Sequence, residues 1–165
     1  MAPLEIERKF LVKKTEELLS ACISCTHITQ TYLRSGEDGL QRRVRRSETD
    51  GAVVCTYTEK RFIEPMVREE NETVITEKRY EELLREADTE LFPVEKSRYI
   101  LVYKDQRFEI DVYPFSDTLC TMELELADVS QEIAFPSCAE IIKEVTGDTR
   151  YSNVTLSMTH RLEEA

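Results

Sequence analysis

Charged residues recur at every second position in several short segments, and their types are those that bind metal ions and phosphate. The sets are Glu5, Glu7 and Lys9; Arg43 and Arg45; Arg68, Glu70 and Glu72; Lys96 and Arg98; Glu109 and Asp111; and Glu123 and Glu125. In a β-strand, residues two apart point to the same face. Apolar residues such as Ile6, Val44 and Ile110 fill the intervening positions. Each predicted strand therefore has one charged face and one apolar face.

This patterning fits two arrangements. In an open sheet, the charged face would be solvated, although like charges such as Arg43 and Arg45 would then lie side by side. In a closed sheet, the charged face would line a channel, which is tolerable only if opposite charges pair and a charged ligand completes the set. Carboxylates would there hold divalent cations, and Lys and Arg would hold phosphate. Periodicity alone leaves both arrangements open.

The elements that must position these residues are mostly strands. Period-two patterns predict strands at about 4–12, 27–34, 39–47, 52–60, 66–75, 94–103, 106–113 and 120–127. Apolar spacing and capping signals predict helices at 15–23, 77–88, 137–146 and 152–162, the third from the capping box of Ser137 and Glu140 and the stop at Gly147. These elements indicate an antiparallel α+β or closed-barrel fold, with helices covering the apolar face.

The motifs, taken in order, are similar to those of a known family. They are Glu5-Ile6-Glu7-Arg8-Lys9, Gln30-Thr31-Tyr32-Leu33, Arg43-Val44-Arg45, Thr58-Glu59-Lys60, Arg68-Glu69-Glu70-Asn71-Glu72, Val94-Glu95-Lys96-Ser97-Arg98-Tyr99, Phe108-Glu109-Ile110-Asp111-Val112, Glu123-Leu124-Glu125 and the run 145–153. Over nearly its whole length the chain resembles the CYTH superfamily, or triphosphate tunnel metalloenzymes, and most of all the short bacterial single-domain members. The resemblance implies one domain over 1–165, with an eight-stranded antiparallel β-barrel flanked by helices.

The resemblance also implies roles for residues at matching positions. The implied metal ligands are Glu5, Glu7, Glu123 and Glu125, with Glu109 and Asp111, and the implied metal is Mg²⁺ or Mn²⁺. The implied phosphate-binding residues are Lys9, Arg43, Arg45, Lys60, Arg68, Lys96 and Arg98. The implied catalytic set is Glu5, Glu7, Lys9, Glu70, Glu72 and Asp111. Arg61 is an alternative to Lys60, because Glu59 stands where the family commonly has an apolar residue.

The function expected from the resemblance is metal-dependent hydrolysis of a triphosphate, foremost inorganic tripolyphosphate, with release of the terminal phosphate. Other members of the family act as class IV adenylate cyclases, thiamine triphosphatases or RNA triphosphatases. A non-catalytic polyphosphate-binding module would keep the basic residues and lose the carboxylates, whereas both Glu-x-Glu pairs are present here. The partner expected is therefore a small triphosphate, bound by a monomer or homodimer.

Composition narrows the expected partners and the expected location of the protein. The net charge of −11 disfavours nucleic acid and anionic membranes, and no apolar run is long enough to span a membrane. The start of the chain lacks a signal-peptide pattern, and an odd count of 5 cysteines fits a cytoplasmic protein. Cys22 and Cys25 lack the second ligand pair of a zinc site, so we expect packing cysteines. His27 and His160 are expected to be structural or exposed.

Overall fold

The computed structural model describes residues 4–164. Within them the strands are β1 (Leu4–Lys13), β2 (Ser24–Leu33), β3 (Leu40–Thr49), β4 (Ala52–Glu64), β5 (Val67–Ile75), β6 (Val94–Tyr103), β7 (Gln106–Val112), β8 (Leu119–Glu125) and β9 (Ile141–Glu144). The α-helices are α1 (Glu16–Ser20), α2 (Glu77–Leu83) and α3 (Asn153–Thr159), with 3-10 turns at Leu84–Glu86 and Thr149–Tyr151. No helix in the described part of the chain has the length and apolarity needed to cross a membrane.

The first eight strands close into an antiparallel barrel, as predicted. Their order is β5-β4-β3-β2-β6-β7-β8-β1, and β1 pairs back to β5 to complete the ring. The start of β1 lies beside β5, with Glu5 opposite Arg68, and the rest lies beside β8, with Lys9 opposite Glu123. Because paired residues share a face, this register turns the charged faces of neighbouring strands toward one interior. The open-sheet alternative is therefore wrong.

The helix predicted at 137–146 is wrong, because this stretch contains strand β9. It pairs with β1 along Phe10–Val12. This part of β1 lies beyond the residues that pair with β5, so its edge on that side would otherwise be open. An unpaired strand edge leaves backbone donors and acceptors without partners, and β9 supplies them. Arg8 adds a two-pronged contact to Glu144, at 2.6 and 2.9 Å. This tertiary pairing outweighs the local capping signal.

The other predicted helices form, but they are shorter, and each covers a different apolar surface. Leu18 of α1 and Leu83 of α2 pack on the outer face of the barrel, as expected. Leu156 of α3 instead packs with Leu11 and Tyr32. Leu11 follows Lys9 by two residues and so shares its inward face. The barrel interior is therefore charged along part of β1 and apolar beyond it, where α3 closes it.

The cysteine and histidine expectations are met in part. All five cysteines are free. Cys22 is partly buried and packs beside the core, but Cys25 is exposed, so the packing prediction is wrong for Cys25. His27 and His160 are both exposed, as predicted.

Gly147 connects β9 to the last turns and has no room for a side chain. Its φ is +73°, and an added Cβ would lie 2.6 Å from the Cβ of Pro65. We expect Gly147→Ala to lower the free energy of unfolding by about 3 kcal/mol, the sum of left-handed backbone strain and a steric clash. Chemical denaturation measures this loss.

Gly51 supplies the matched control. Its φ is +84°, but no atom of the described residues 4–164 lies within 4 Å of an added Cβ, so Gly51→Ala should carry only the strain of about 1 kcal/mol. Equal losses for the two variants would contradict the close packing of Gly147 on Pro65.

Candidate active site

A cavity of about 690 Å³ occupies the charged interior of the barrel. Of the residues that the sequence predicts for the site, those lining it are Glu5, Glu7, Lys9, Arg43, Arg45, Lys60, Arg68, Glu70, Glu72, Arg98, Glu109 and Glu123. Lys60 lies among them, whereas Arg61 points outward and binds Glu37 at 2.8 Å. Seven of the eight barrel strands thus contribute charged side chains to one shared cavity.

Acidic and basic side chains alternate around this cavity and hold one another. The nitrogen-to-oxygen distances are 2.6 Å for Arg68–Glu7, 3.7 Å for Arg68–Glu5, 3.8 Å for Lys60–Glu5, 3.9 Å for Lys60–Glu70, 3.4 Å for Arg43–Glu70 and 3.3 Å for Lys9–Glu123. Most of these pairs are longer than a good charge-assisted hydrogen bond. Long pairs of this kind are weaker than close ones, which favours their exchange for stronger ligands.

These cations compensate the carboxylates unequally. Burial, reinforced by the charges of Glu123 and Glu5 and only partly opposed by Arg68, raises the pKa of Glu7 to about 8. Burial also tends to raise the pKa of Glu123, but Lys9 and Arg98 outweigh burial and lower this pKa to about 2. Carboxylates that repel one another in a buried site are suited to a hard divalent cation.

This donor set therefore fits a divalent cation in chemistry, although it is not preassembled. Within residues 4–164, no three acidic, cysteine or histidine side chains already form a metal-binding group. The nitrogen atoms of Arg68 and Lys9 lie against Glu7 and Glu123. A cation could be held by Glu5, Glu7 and Glu123 only after these basic groups had moved to another anion.

Two buried donors in the cavity wall point to that anion. The Nε atoms of Arg43 and Arg68 are buried and find no hydrogen-bond partner within residues 4–164. Leaving a donor of a charged group buried without a hydrogen bond is unfavourable by a few kcal/mol. Phosphate oxygens, which accept bidentate contacts from guanidinium groups, would satisfy both donors.

Lys96 and Asp111 lie deeper than expected and do not line the cavity. The Lys96 Nζ atom is 2.8 Å from Asp111 Oδ2, and Arg98 contacts both Asp111 oxygens at 2.8 and 3.0 Å. Burial tends to raise the pKa of Asp111, but Arg98 and Lys96 outweigh it and hold that pKa well below its usual range. In this geometry Asp111 is a buried counterion that orients Arg98 toward the cavity.

Glu125 also departs from the expected position. It is exposed and lies outside the cavity, although it pairs in register with Glu7. Period-two spacing placed Glu123 and Glu125 on one face, and the structure keeps them there. The spacing does not reveal that the strand ends at Glu125, at the rim.

The cavity is also lined by residues to which the sequence gave no catalytic, metal-binding or phosphate-binding role. They include Tyr32, Gln41, Phe62, Glu64 and Pro65 from the barrel, with Thr146, Gly147, Asp148, Thr149, Ser152, Asn153 and Thr155 from the segment before and within α3. This segment also fixes Lys9, whose Nζ donates to the carbonyl oxygen of Tyr151 at 2.6 Å. Its only signal in the sequence was the motif run 145–153, which carried no residue role.

The fold and this cavity define the class of the protein, and a family model agrees. The CYTH domain model matches residues 3–156, so the chain belongs to the CYTH family. None of the curated proteins matches the sequence.

Solved structures show the same fold. The inorganic triphosphatase NE1496 is 29% identical, with a TM-score of 0.58 over 96% of this chain and 97% of that chain. PH1819 from Pyrococcus horikoshii OT3 is 19% identical, with a TM-score of 0.58 over 76% and 80%. HpAC1 from Hippeastrum, named for adenylyl cyclase and described as having a dominant triphosphatase activity, is 16% identical, with a TM-score of 0.54 over 75% and 80%. The last two likenesses concern the fold alone.

Proposed function

We propose that this protein hydrolyses inorganic tripolyphosphate and releases the terminal phosphate, with Mg²⁺ or Mn²⁺ as the cofactor. The observation that carries the proposal is the interior of the barrel, where a carboxylate cluster and a set of Lys and Arg side chains share one cavity of about 690 Å³. The similarity to the inorganic triphosphatase NE1496 along almost the full length of both chains supports the same substrate.

The first step is an exchange of ion-pair partners. Phosphate oxygens compete with Glu70 for Arg43 and Lys60, and with Glu7 for Arg68, because phosphate carries more charge than a carboxylate. The carboxylates of Glu5 and Glu7 are then released. Together with Glu123 they are the donors that would hold the divalent cation. Bound there, the cation would supply Lewis-acid polarisation of the phosphoryl oxygens.

The side chains of the protein then stabilise the transfer of the terminal phosphoryl group. Phosphoryl transfer needs positioning and neutralisation of charge more than covalent chemistry. Arg43, Lys60 and Arg68 would donate to the oxygens on which negative charge develops. Glu72 accepts a hydrogen bond from Thr58 at 3.2 Å, and no ion pair holds it among the described residues. We assign Glu72 the task of orienting the attacking water.

A panel of substrates tests this function. The specificity constants, kcat/KM, are measured for tripolyphosphate, ATP and thiamine triphosphate, each with Mg²⁺ and with Mn²⁺, and the products of ATP are identified. We expect the highest value for tripolyphosphate. Cyclic AMP and pyrophosphate as the main products of ATP, at a higher kcat/KM than tripolyphosphate, would instead identify a cyclase. Binding of tripolyphosphate without turnover would identify a polyphosphate-binding module.

The positions of Glu123 and Glu125 predict unequal effects of the same substitution. Glu123→Gln removes a carboxylate inside the cavity, so we expect at least about a 100-fold loss of turnover. Glu125→Gln alters an exposed side chain at the rim, and we expect a loss of no more than about threefold. Initial rates of phosphate release from tripolyphosphate measure both. A larger loss for Glu125→Gln than for Glu123→Gln would contradict this arrangement.

A further inference from the structure

Arg45 differs from the other basic side chains of the cavity in its partner. Lys9, Arg43, Lys60, Arg68 and Arg98 each contact a carboxylate. In the chain from residue 4 to residue 164, no carboxylate lies within ion-pair distance of Arg45. Its guanidinium instead donates to the amide oxygen of Gln30, from Nε at 3.2 Å and from the terminal nitrogen at 2.9 Å.

The charge of Arg45 is therefore held in place but not cancelled. Burial, together with the nearby positive charges of Arg43 and Arg98, lowers the pKa of Arg45, and the more weakly acting charges of Asp111 and Glu72 oppose this shift only in part. A guanidinium nevertheless remains protonated at neutral pH. Gln30 lies opposite Arg45 in the pairing of β2 with β3 and is completely buried. A neutral amide at this position leaves a full positive charge available to a ligand.

The same amide orients a second cavity group, the hydroxyl of Tyr32. A guanidinium has donors and no acceptor, so the oxygen of Gln30 must face Arg45 and its amino group must face Tyr32. The Nε2 atom donates to the Tyr32 hydroxyl oxygen at 2.9 Å. Because that oxygen acts as an acceptor, the hydroxyl proton is free to be donated elsewhere. Tyr32 lines the cavity, so the proton is available to a bound anion.

We infer that Gln30 is a positioning residue that presents Arg45 and the Tyr32 hydroxyl as donors to the bound polyphosphate while leaving the charge of Arg45 uncancelled. This inference rests on the proposed function. Each of the other cavity cations shares its charge with a carboxylate, whereas Arg45 does not. Arg45 therefore contributes its full charge to the first capture of the anion.

Gln30→Glu tests the inference because it keeps the shape and the acceptor while adding a negative charge. The carboxylate would pair with Arg45 and would accept the Tyr32 proton, turning it away from the cavity. We expect KM for tripolyphosphate to rise at least about tenfold, with a smaller change in kcat and a melting temperature no lower than that of the wild type. A purely structural role would not separate affinity from stability in this way.

Two further variants serve as the control and the second test. Gln131 accepts a hydrogen bond from the backbone of Ala127 at 2.7 Å and does not line the main cavity, so Gln131→Glu adds the same charge and keeps its acceptor. We expect KM to be unchanged in this control.

Tyr32→Phe removes only the hydroxyl, and KM should rise about threefold. Tyr32→Phe keeps the inference testable if Gln30→Glu does not fold.

The outcomes separate this inference from the proposed function. If the wild type turns over tripolyphosphate and the folded Gln30→Glu variant keeps KM within about twofold, the inference fails and the proposed function stands. If the wild type does not turn over tripolyphosphate, calorimetry of tripolyphosphate binding in the absence of metal tests the inference. Weaker binding by Gln30→Glu than by the wild type and by Gln131→Glu supports the inference, and equal or absent binding overturns it.

Discussion

Glu7→Gln is expected to lower tripolyphosphate turnover by at least about 100-fold without unfolding the barrel, because it removes a metal-binding oxygen from the centre of the site. The folded protein should lose no stability. Burial, reinforced by the charges of Glu123 and Glu5, raises the pKa of Glu7 to about 8, so this site already favours a neutral side chain and accommodates the amide. The rate of phosphate release and the melting temperature are measured on the same preparation.

Glu95→Gln is the control for this prediction. Glu95 lies on β6 between inward-facing Val94 and Lys96 and is itself exposed, so the substitution removes the same charge outside the cavity. It should leave turnover unchanged. An exposed charge changes the rate by no more than about threefold. If Glu7→Gln retained about a third or more of the wild-type rate, its effect would be no larger than that, and the metal assignment would be wrong.

Asp111→Asn is expected to be the most destabilising of these substitutions, with a loss of about 3–5 kcal/mol in the free energy of unfolding. Asp111 is almost fully buried and compensates both Lys96 and Arg98. Without its charge, buried Lys96 loses its carboxylate partner, and Arg98 keeps only its ion pair with the partly exposed Glu109. Urea denaturation at neutral pH measures the loss.

Glu109→Gln is the matched control for Asp111→Asn. Glu109 lies on the same strand as Asp111 and binds the same Arg98 at 2.9 Å, but 34% of its side chain is exposed. Solvent screens this pair, so its loss should be no more than about 1 kcal/mol. Equal losses for the two variants would contradict the buried counterion role of Asp111.

The same geometry sets a pH dependence. The pKa of Asp111 in the folded protein lies well below its ordinary value, which is about 3.9 in an unfolded chain. The unfolded state therefore binds more protons below about pH 4, and the stabilisation from Asp111, complete above that pH, declines as the pH falls further. We expect Asp111→Asn to lose less stability than the wild type between about pH 4 and pH 2. A parallel decline of both proteins would contradict this linkage.

The sequence predicted the strands and their two faces well, because alternation at period two is a local property. Lys9, Arg43 and Glu123 are inward-facing for this reason. Closure of the barrel is not local. It depends on β1 pairing with both β5 and β8, and periodicity alone left an open sheet possible. The ordered motifs of the family were needed to predict the barrel.

The depth of each residue within the barrel could not be read from spacing. Glu109 and Asp111 occupy equivalent positions in the alternation, yet Glu109 lines the cavity and Asp111 is sealed beneath it. Glu125 follows the same pattern and reaches only the rim. Depth depends on strand stagger and on where α3 closes the barrel, and both are set by contacts between segments distant in the sequence.

Two other features could not be predicted from the sequence, for related reasons. The capping box of Ser137 and Glu140 is a real local signal for a helix, but the open edge of β1 recruits Ile141–Glu144 as a strand. Gln30 is uncharged, so a search for charged pairs passes over it. The role inferred for it becomes visible only when the ion pairs within residues 4–164 show that none involves Arg45.

Phosphorus-31 NMR of tripolyphosphate incubated with the wild-type protein and Mg²⁺ or Mn²⁺ tests the proposed function most directly. We expect the tripolyphosphate signals to be replaced by those of orthophosphate and pyrophosphate in equal amounts, with no conversion when a chelator is present. Tripolyphosphate that stays unchanged with both metals, in the presence of correctly folded protein, would contradict the proposal that this charged cavity is a triphosphatase site.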